Sequence, residues 1–329
     1  MTDTGPRLLP LLVLGLGVLL AACSSSPSSS PTTTTGHPAS TGTTGASGAG
    51  STTVPTSTAS AGKPGWIVAD WAVAKMEAAG LSPSLVDYFF DNPQTYLIVT
   101  QHDHSAVDQQ LAAATHVQRF TSFATMQQAF SSGTVTPGTK GILYDNEAWR
   151  FTPANEKAAP VSYAQRARAL AHQHGMTFVF TPAVNLATLA ASTGGGTAGS
   201  TGAAGKYGAY LSQDLAARAA TASDVLEIQA QQAQATPEFD TFTSQAISQA
   251  RAANKSALIY VGIGPGPNGR TISAAQILAA YQATRARVDG YWLNIPANNA
   301  QCPGCGTAQP QVAVAFLQSL ARTLGQPSS

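Results

Sequence analysis

The sequence predicts an α/β protein, a (β/α)8 TIM-like barrel, on three observations. Short β-rich runs alternate with longer Ala-, Gln- and Leu-rich segments of helical period through residues 65–329. Repeated strand–helix units imply parallel strands joined by right-handed crossovers. Seven or eight such units in about 250 residues favour one closed barrel over a doubly wound sheet.

Taken from the N-terminus, residues 1–22 are an export signal. Arg7 precedes an apolar run of 13 residues, 8–20, and small residues then lead to Cys23. That run is too short for a membrane-spanning helix, which needs about 20 residues, but suits the core of a secretory signal. Leu20-Ala21-Ala22-Cys23 resembles the bacterial lipobox, which implies that Cys23 is acylated and becomes the mature N-terminus. Two or three acyl chains anchor far more firmly than one. The expected location is the outer face of the cell membrane, held by lipid.

Residues 23–64 carry the lipidated Cys and a linker. Of the 41 residues from Ser24 to Pro64, 38 are Ser, Thr, Gly, Pro or Ala, and Val54 is the one branched aliphatic. Such a stretch buries too little apolar surface to offset backbone entropy and is read as a disordered tether. A chain of that length spans roughly 35 Å on average.

Within 65–329 the expected strands are 96–100, 117–122, 141–147, 177–181, 225–231, 257–263 and 290–295, with an eighth at 66–70. Helices are expected at 162–174 and 273–287. Ser273 and Gln276 have capping-box spacing, and Pro153 suits a first helical position.

Strand alternation then sorts the polar groups. In 141–147, Leu143, Asp145 and Glu147 share one face, with both acids at the C-terminal end. In 225–231, Leu226, Ile228 and Ala230 form an apolar face for surrounding helices. Glu227, Gln229 and Gln231 form the other, which in a barrel is the lumen. Barrel active sites sit at C-terminal strand ends, so these side chains are the candidate site. The competing expectation is a structural network, with Glu147 paired to Arg150 or Lys157 at the rim and the glutamines forming a hydrogen-bond ladder.

Strand by strand, the second half resembles glycoside hydrolase family 18, in the compact plant-type chitinase layout. Ile142-Leu143-Tyr144-Asp145-Asn146-Glu147 resembles its fourth-strand D-x-E ending, 178–183 its fifth strand, 225–231 its sixth, and Gly290-Tyr291-Trp292-Leu293-Asn294 its eighth. The segment from Tyr144 to Trp149 also resembles a YDxExW stretch of uncharacterised actinobacterial lipoproteins. The family-18 resemblance implies substrate-assisted retaining hydrolysis. Glu147 then protonates the leaving oxygen, and Asp145 orients the N-acetyl group that acts as nucleophile. Tyr144, Trp149, Glu227, Gln229, Gln231, Trp292 and Asn294 are the implied substrate-binding residues, Trp292 as the aromatic floor. Leu143 and Lys140 stand where the family's longer D-x-x-D-x-D-x-E pattern has aspartates, and Gln229 or Gln231 would have to replace a sixth-strand tyrosine.

Other signals are excluded or minor. His102 and His104 share a strand face, but no third ligand is fixed, so no metal and no cofactor are expected. Gly264, Gly266 and Gly269 have the spacing of a phosphate loop, yet Pro265 and Pro267 remove amide donors it needs. Residues 194–199 read as a rim loop over the lumen. Cys302 and Cys305, an even pair once Cys23 is acylated, are expected to form a short disulfide in an oxidising compartment. A net charge of +1, with charged residues at 10%, leaves no basic stripe for nucleic acid. The chain is read as a monomer. Two function classes remain: an exported glycoside hydrolase on an extracellular or envelope polysaccharide, or a non-catalytic carbohydrate-binding or envelope-associated barrel.

Overall fold

A computed structural model describes residues 63–99, 106–193, 203–296, 298 and 303–326. Eight parallel strands close in sequence order: β1 (Gly65–Ala69), β2 (Tyr96–Ile98), β3 (Thr115–Phe120), β4 (Gly141–Tyr144), β5 (Thr177–Phe180), β6 (Val225–Ile228), β7 (Leu258–Ile263) and β8 (Gly290–Leu293). Strand β8 closes on β1, with Ile67 in register with Trp292. The expected (β/α)8 barrel is the fold. The export signal, Cys23, the linker through residue 62, His102, His104, the 194–199 loop and Cys302 all lie outside the described residues.

Period-two alternation builds two cores. Outward residues such as Trp66, Val68, Ile142, Phe178, Leu226, Ile259 and Tyr291 pack under the helices. Inward residues Ile67, Tyr96, Val117, Leu143, Val179, Val225, Tyr260 and Trp292 fill the lumen as a separate cluster. Each fully buried large side chain contributes roughly 1.5–3 kcal/mol, so the lumen is a packed plug, not a pore.

Glycines make room for Tyr260 in the lumen. A Cβ on Gly65 would stand 1.9 Å from the Tyr260 Oη, and one on Gly290 would stand 2.3 Å from the same ring. The Tyr260 hydroxyl donates to the Gln94 carbonyl oxygen at 2.7 Å, which seals the N-terminal end of the barrel.

Most expected strands overran at their C-terminal ends. Strand β6 stops at Ile228 because the Ala230 amide turns back to the Ile228 carbonyl at 2.8 Å, leaving Gln229 and Gln231 beyond the ladder. Strand β4 stops at Tyr144, although the Asp145 amide still reaches the Phe120 carbonyl at 2.8 Å. Ser122, expected in a strand, instead caps the helix Phe123–Ser132 by accepting from the Thr125 amide. The expected capping box is present at Ser273 and Gln276, ahead of the helix Ala274–Thr284. Pro153 lies just before the helix Ala154–Ala158 rather than in it. Among the described residues no helix is long and apolar enough to cross a membrane.

Candidate active site

Over the C-terminal strand ends lies a cleft of about 960 Å³, towards the upper end of the range for ligand sites. Asp145, Glu147, Gln229 and Gln231 line it, with Arg119 from β3 and three tryptophans, Trp71, Trp149 and Trp292. The two faces read from the strand pattern are therefore the faces that form the site.

The stretch after β4 is held from behind. The Tyr144 hydroxyl donates to Glu156 Oε2 at 2.5 Å and accepts from the Asn146 amide at 2.9 Å. Glu156 also accepts from the backbone amides of Phe123, at 2.7 Å, and Ala124, so a carboxylate sits at the positive end of that helix. Tyr144 and Asn146 are thereby locked outward, which turns Asp145 and Glu147 inward. Thr152 fixes the backbone beyond them. Its hydroxyl donates to the Thr121 carbonyl at 2.8 Å and accepts from the Glu147 amide at 3.3 Å and the Trp149 indole at 3.1 Å.

Asp145 is almost wholly buried. Its carboxylate accepts from the Thr181 hydroxyl at 3.0 Å and pairs with Arg119 at 3.4 Å. Burial nevertheless pushes its carboxyl above the ordinary value, outweighing what Arg119 and Thr181 pull down. Glu147 is pushed up to about 8, chiefly by burial and next by the Asp145 charge, against the pull of Arg119 and of a hydrogen bond from Gln229. Gln229 also donates to the Thr181 carbonyl at 3.1 Å, which ties the ends of β4, β5 and β6 together. Two neighbouring carboxyl groups with one cation leave Glu147 holding a proton near neutrality, the state of a general acid.

Two implied binding residues are corrected. Tyr144 faces the helices, fully buried and bound to Glu156, and does not line the cleft. Glu227 points into the lumen as expected but lies wholly buried beneath the cleft rather than in its wall. Trp292 is largely buried, shared between the lumen core and the cleft floor. Asn294 lines the wall, its backbone N–H donating to the Ile263 carbonyl at 2.9 Å. The cation beside the acids is Arg119, not Arg150 or Lys157; the Lys157 ammonium donates to the Trp149 carbonyl at 3.1 Å.

Sequence reading passed over Arg119, Thr181, Trp71 and Gln234. The signal for Arg119 was present, since it follows Val117 by two residues on an inward face. Gln234 pairs with both the amide and the carbonyl of Gly264, standing in for a neighbouring strand beside the last residues of β7. Cys305 lines the cleft mouth. Among the described residues no three His, Cys, Asp or Glu side chains are grouped so as to hold a metal ion.

No family model and no curated protein matches this chain. Among solved structures it is similar to a glycoside hydrolase family 17 β-1,3-glucanosyltransferase from Rhizomucor miehei, at 9% identity and a TM-score of 0.38, over 74% of this chain and 91% of that one. An active-site mutant of Rhizomucor miehei β-1,3-glucanosyltransferase in complex with laminaritriose gives 10% identity and a TM-score of 0.37 over the same shares. Likeness at that level says nothing about chemistry or substrate.

Proposed function

We propose that the chain is an exported, lipid-anchored glycoside hydrolase acting on an extracellular or cell-envelope polysaccharide, with Glu147 as its proton donor. One observation carries this reading: a carboxyl group kept neutral near pH 7 by burial and by Asp145 opens into a cleft walled by tryptophans. Such a cleft suits a sugar, whose ring faces stack on aromatics while its hydroxyls take hydrogen bonds from Arg119, Gln229, Gln231 and Asn294.

In the reaction the C1–O bond breaks, its electron pair passes to the glycosidic oxygen, and that oxygen takes the Glu147 proton. On the family-18 reading the substrate's own acetamido oxygen attacks C1, and Asp145, anchored by Thr181 and Arg119, orients that group. Water then opens the intermediate, giving its proton back to Glu147. Leu143, where that family's pattern has an aspartate, is packed in the lumen core, so Asp145 has Thr181 and Arg119 as partners instead.

The test is a panel of labelled N-acetylated and neutral glycans, assayed for cleavage and binding with Glu147→Gln as control. Cleavage abolished by the substitution supports the proposal. Equal binding by both proteins with no cleavage by either would make the barrel a carbohydrate-binding lipoprotein. Anchoring has its own readout: labelled palmitate should enter the wild-type protein and be lost in Cys23→Ser.

A further inference from the structure

Beneath the cleft the structure poses a problem of hydrogen-bond accounting. Glu227 is fully buried, and neither of its carboxyl oxygens has a hydrogen-bond partner among the described residues. The same holds for Oε1 of Gln231. These oxygens converge: Glu227 Oε1 and Gln231 Oε1 each lie 2.4 Å from the point where a Cβ on Gly262 would stand. Glycine on β7 leaves that space open, and two acceptors fill it. Two acceptors attract only when one carries a proton, and a carboxyl can carry one where a carboxamide oxygen cannot.

We infer that Glu227 is a neutral positioning residue, whose carboxylic acid donates its proton to Gln231 Oε1 and so fixes the Gln231 amide nitrogen as a donor facing the cleft. Oε1 is the buried end of Gln231, and the residue itself lines the cleft. The nitrogen is the end left to meet a substrate oxygen, a hydroxyl or an acetamido carbonyl. The surroundings favour the neutral acid. Burial pushes the Glu227 carboxyl far up, and Asp145 and Glu147, just beyond the end of β4, push it further. Arg119, the cation of the site, pairs with Asp145, and no cation is among the groups that shift Glu227. Tyr210, on the helix Ala203–Ser212, and Tyr260, beside Glu227 in the β7 register, are neutral phenols; the Tyr260 hydroxyl is committed to Gln94. The role in substrate recognition rests on the hydrolase reading, but the protonation state does not.

The experiment is therefore read first without substrate. A carboxyl neutral when folded and ionised when unfolded weakens the fold progressively above its ordinary value of 4.5. Glu227→Gln should match the wild-type Tm near pH 4 and exceed it by about 5 °C or more near pH 7.5. The protonated-carboxyl C=O stretch assigned to Glu227 should be visible by infrared difference spectroscopy at pH 7 and vanish in the variant. With a cleaved glycan in hand, Glu227→Gln should rescue function to within about threefold of wild type, because its amide also donates. Glu227→Ala should raise KM about tenfold or more while changing kcat less. Equal Tm differences at both pH values, or no such band, would mean an ionised Glu227 taking a hydrogen bond from the Gln231 nitrogen, and the inference fails. A Glu227→Gln protein that folds but has lost kcat would make Glu227 a charged catalytic group and overturn it equally. Neither result touches the case for Glu147, which stands or falls on cleavage.

Discussion

If Glu147 delivers the proton, hydrolysis must fade as pH climbs through the range in which that carboxyl ionises. Its pushed-up value of about 8 places the loss on the alkaline side: about nine-tenths of molecules hold the proton at pH 7 and about one-tenth at pH 9. The neighbours make the assignment sharp, because they push in opposite directions. Asp145→Asn removes a charge that raises Glu147 and should move the alkaline limb to lower pH, by about one unit. Arg119→Gln removes a charge that lowers it and should move the limb to higher pH by a similar amount. Glu147→Gln should lose about 10²–10⁴ in kcat on a natural linkage. It should lose little on a glycoside whose leaving group departs without protonation. The same substitution should stabilise the fold. Some 2.5 pH units separate the ordinary value of 4.5 from pH 7, at about 1.4 kcal/mol each, so up to about 3 kcal/mol is recovered. The assay is initial rates across about pH 5–10 on both substrate types, with denaturant melts alongside. Limbs that shift the same way in the two neighbour variants, or equal losses on both leaving groups, would refute the proton-donor argument.

Two further outcomes are expected from the surrounding contacts. Tyr144→Phe removes a buried hydroxyl that holds Glu156 and Asn146, and should cost about 2 kcal/mol in urea melts while leaving the alkaline limb in place. Trp71, 38% exposed on the cleft wall, should act as a stacking platform; its change to Ala should raise KM about fivefold for long oligosaccharides and hardly at all for short ones.

The barrel was legible because period-two alternation and strand–helix repetition are local properties of the chain. Asp145 and Glu147 could be placed inward for the same reason: a strand ending in Leu-x-Asp-x-Glu admits one inward face once Ile142 and Tyr144 claim the other. Alternation did not settle depth, however. Glu227 and Gln231 share a face, yet one is sealed beneath the cleft and the other opens into it, because the chain turns at Ile228 and Ala230. Tyr144 looked like part of the site from its place in the motif. Its partner Glu156 is 12 residues on, in the helix Ala154–Ala158, and spacing alone does not reveal that pairing. Arg119 was missed because its neighbours on that inward face, Thr115, Val117 and Thr121, carry no charge to mark the face as part of a site.

The placement of charge at the two ends of the barrel has a consequence for its working range. At the C-terminal end, Asp145, Glu147 and Glu227 are all raised by burial, so each favours the fold most below its ordinary value and ever less as pH rises. Asp224, just before β6 at the opposite end, has the other sign. Burial raises it, but hydrogen bonds from His172, the Phe178 amide and Arg168, together with the Arg168 charge, draw it below 3.8, so its contribution is lost only in strong acid. Stability should therefore peak on the acid side of neutrality, and activity should fail in the same alkaline range in which the fold weakens. Replacing Glu147 and Glu227 together by Gln should flatten the Tm profile between about pH 5 and 8 without altering its fall in acid. A wild-type Tm that rises steadily from pH 5 to 8 would show that the three acids do not share buried protons, and the electrostatic basis of the site would have to be abandoned.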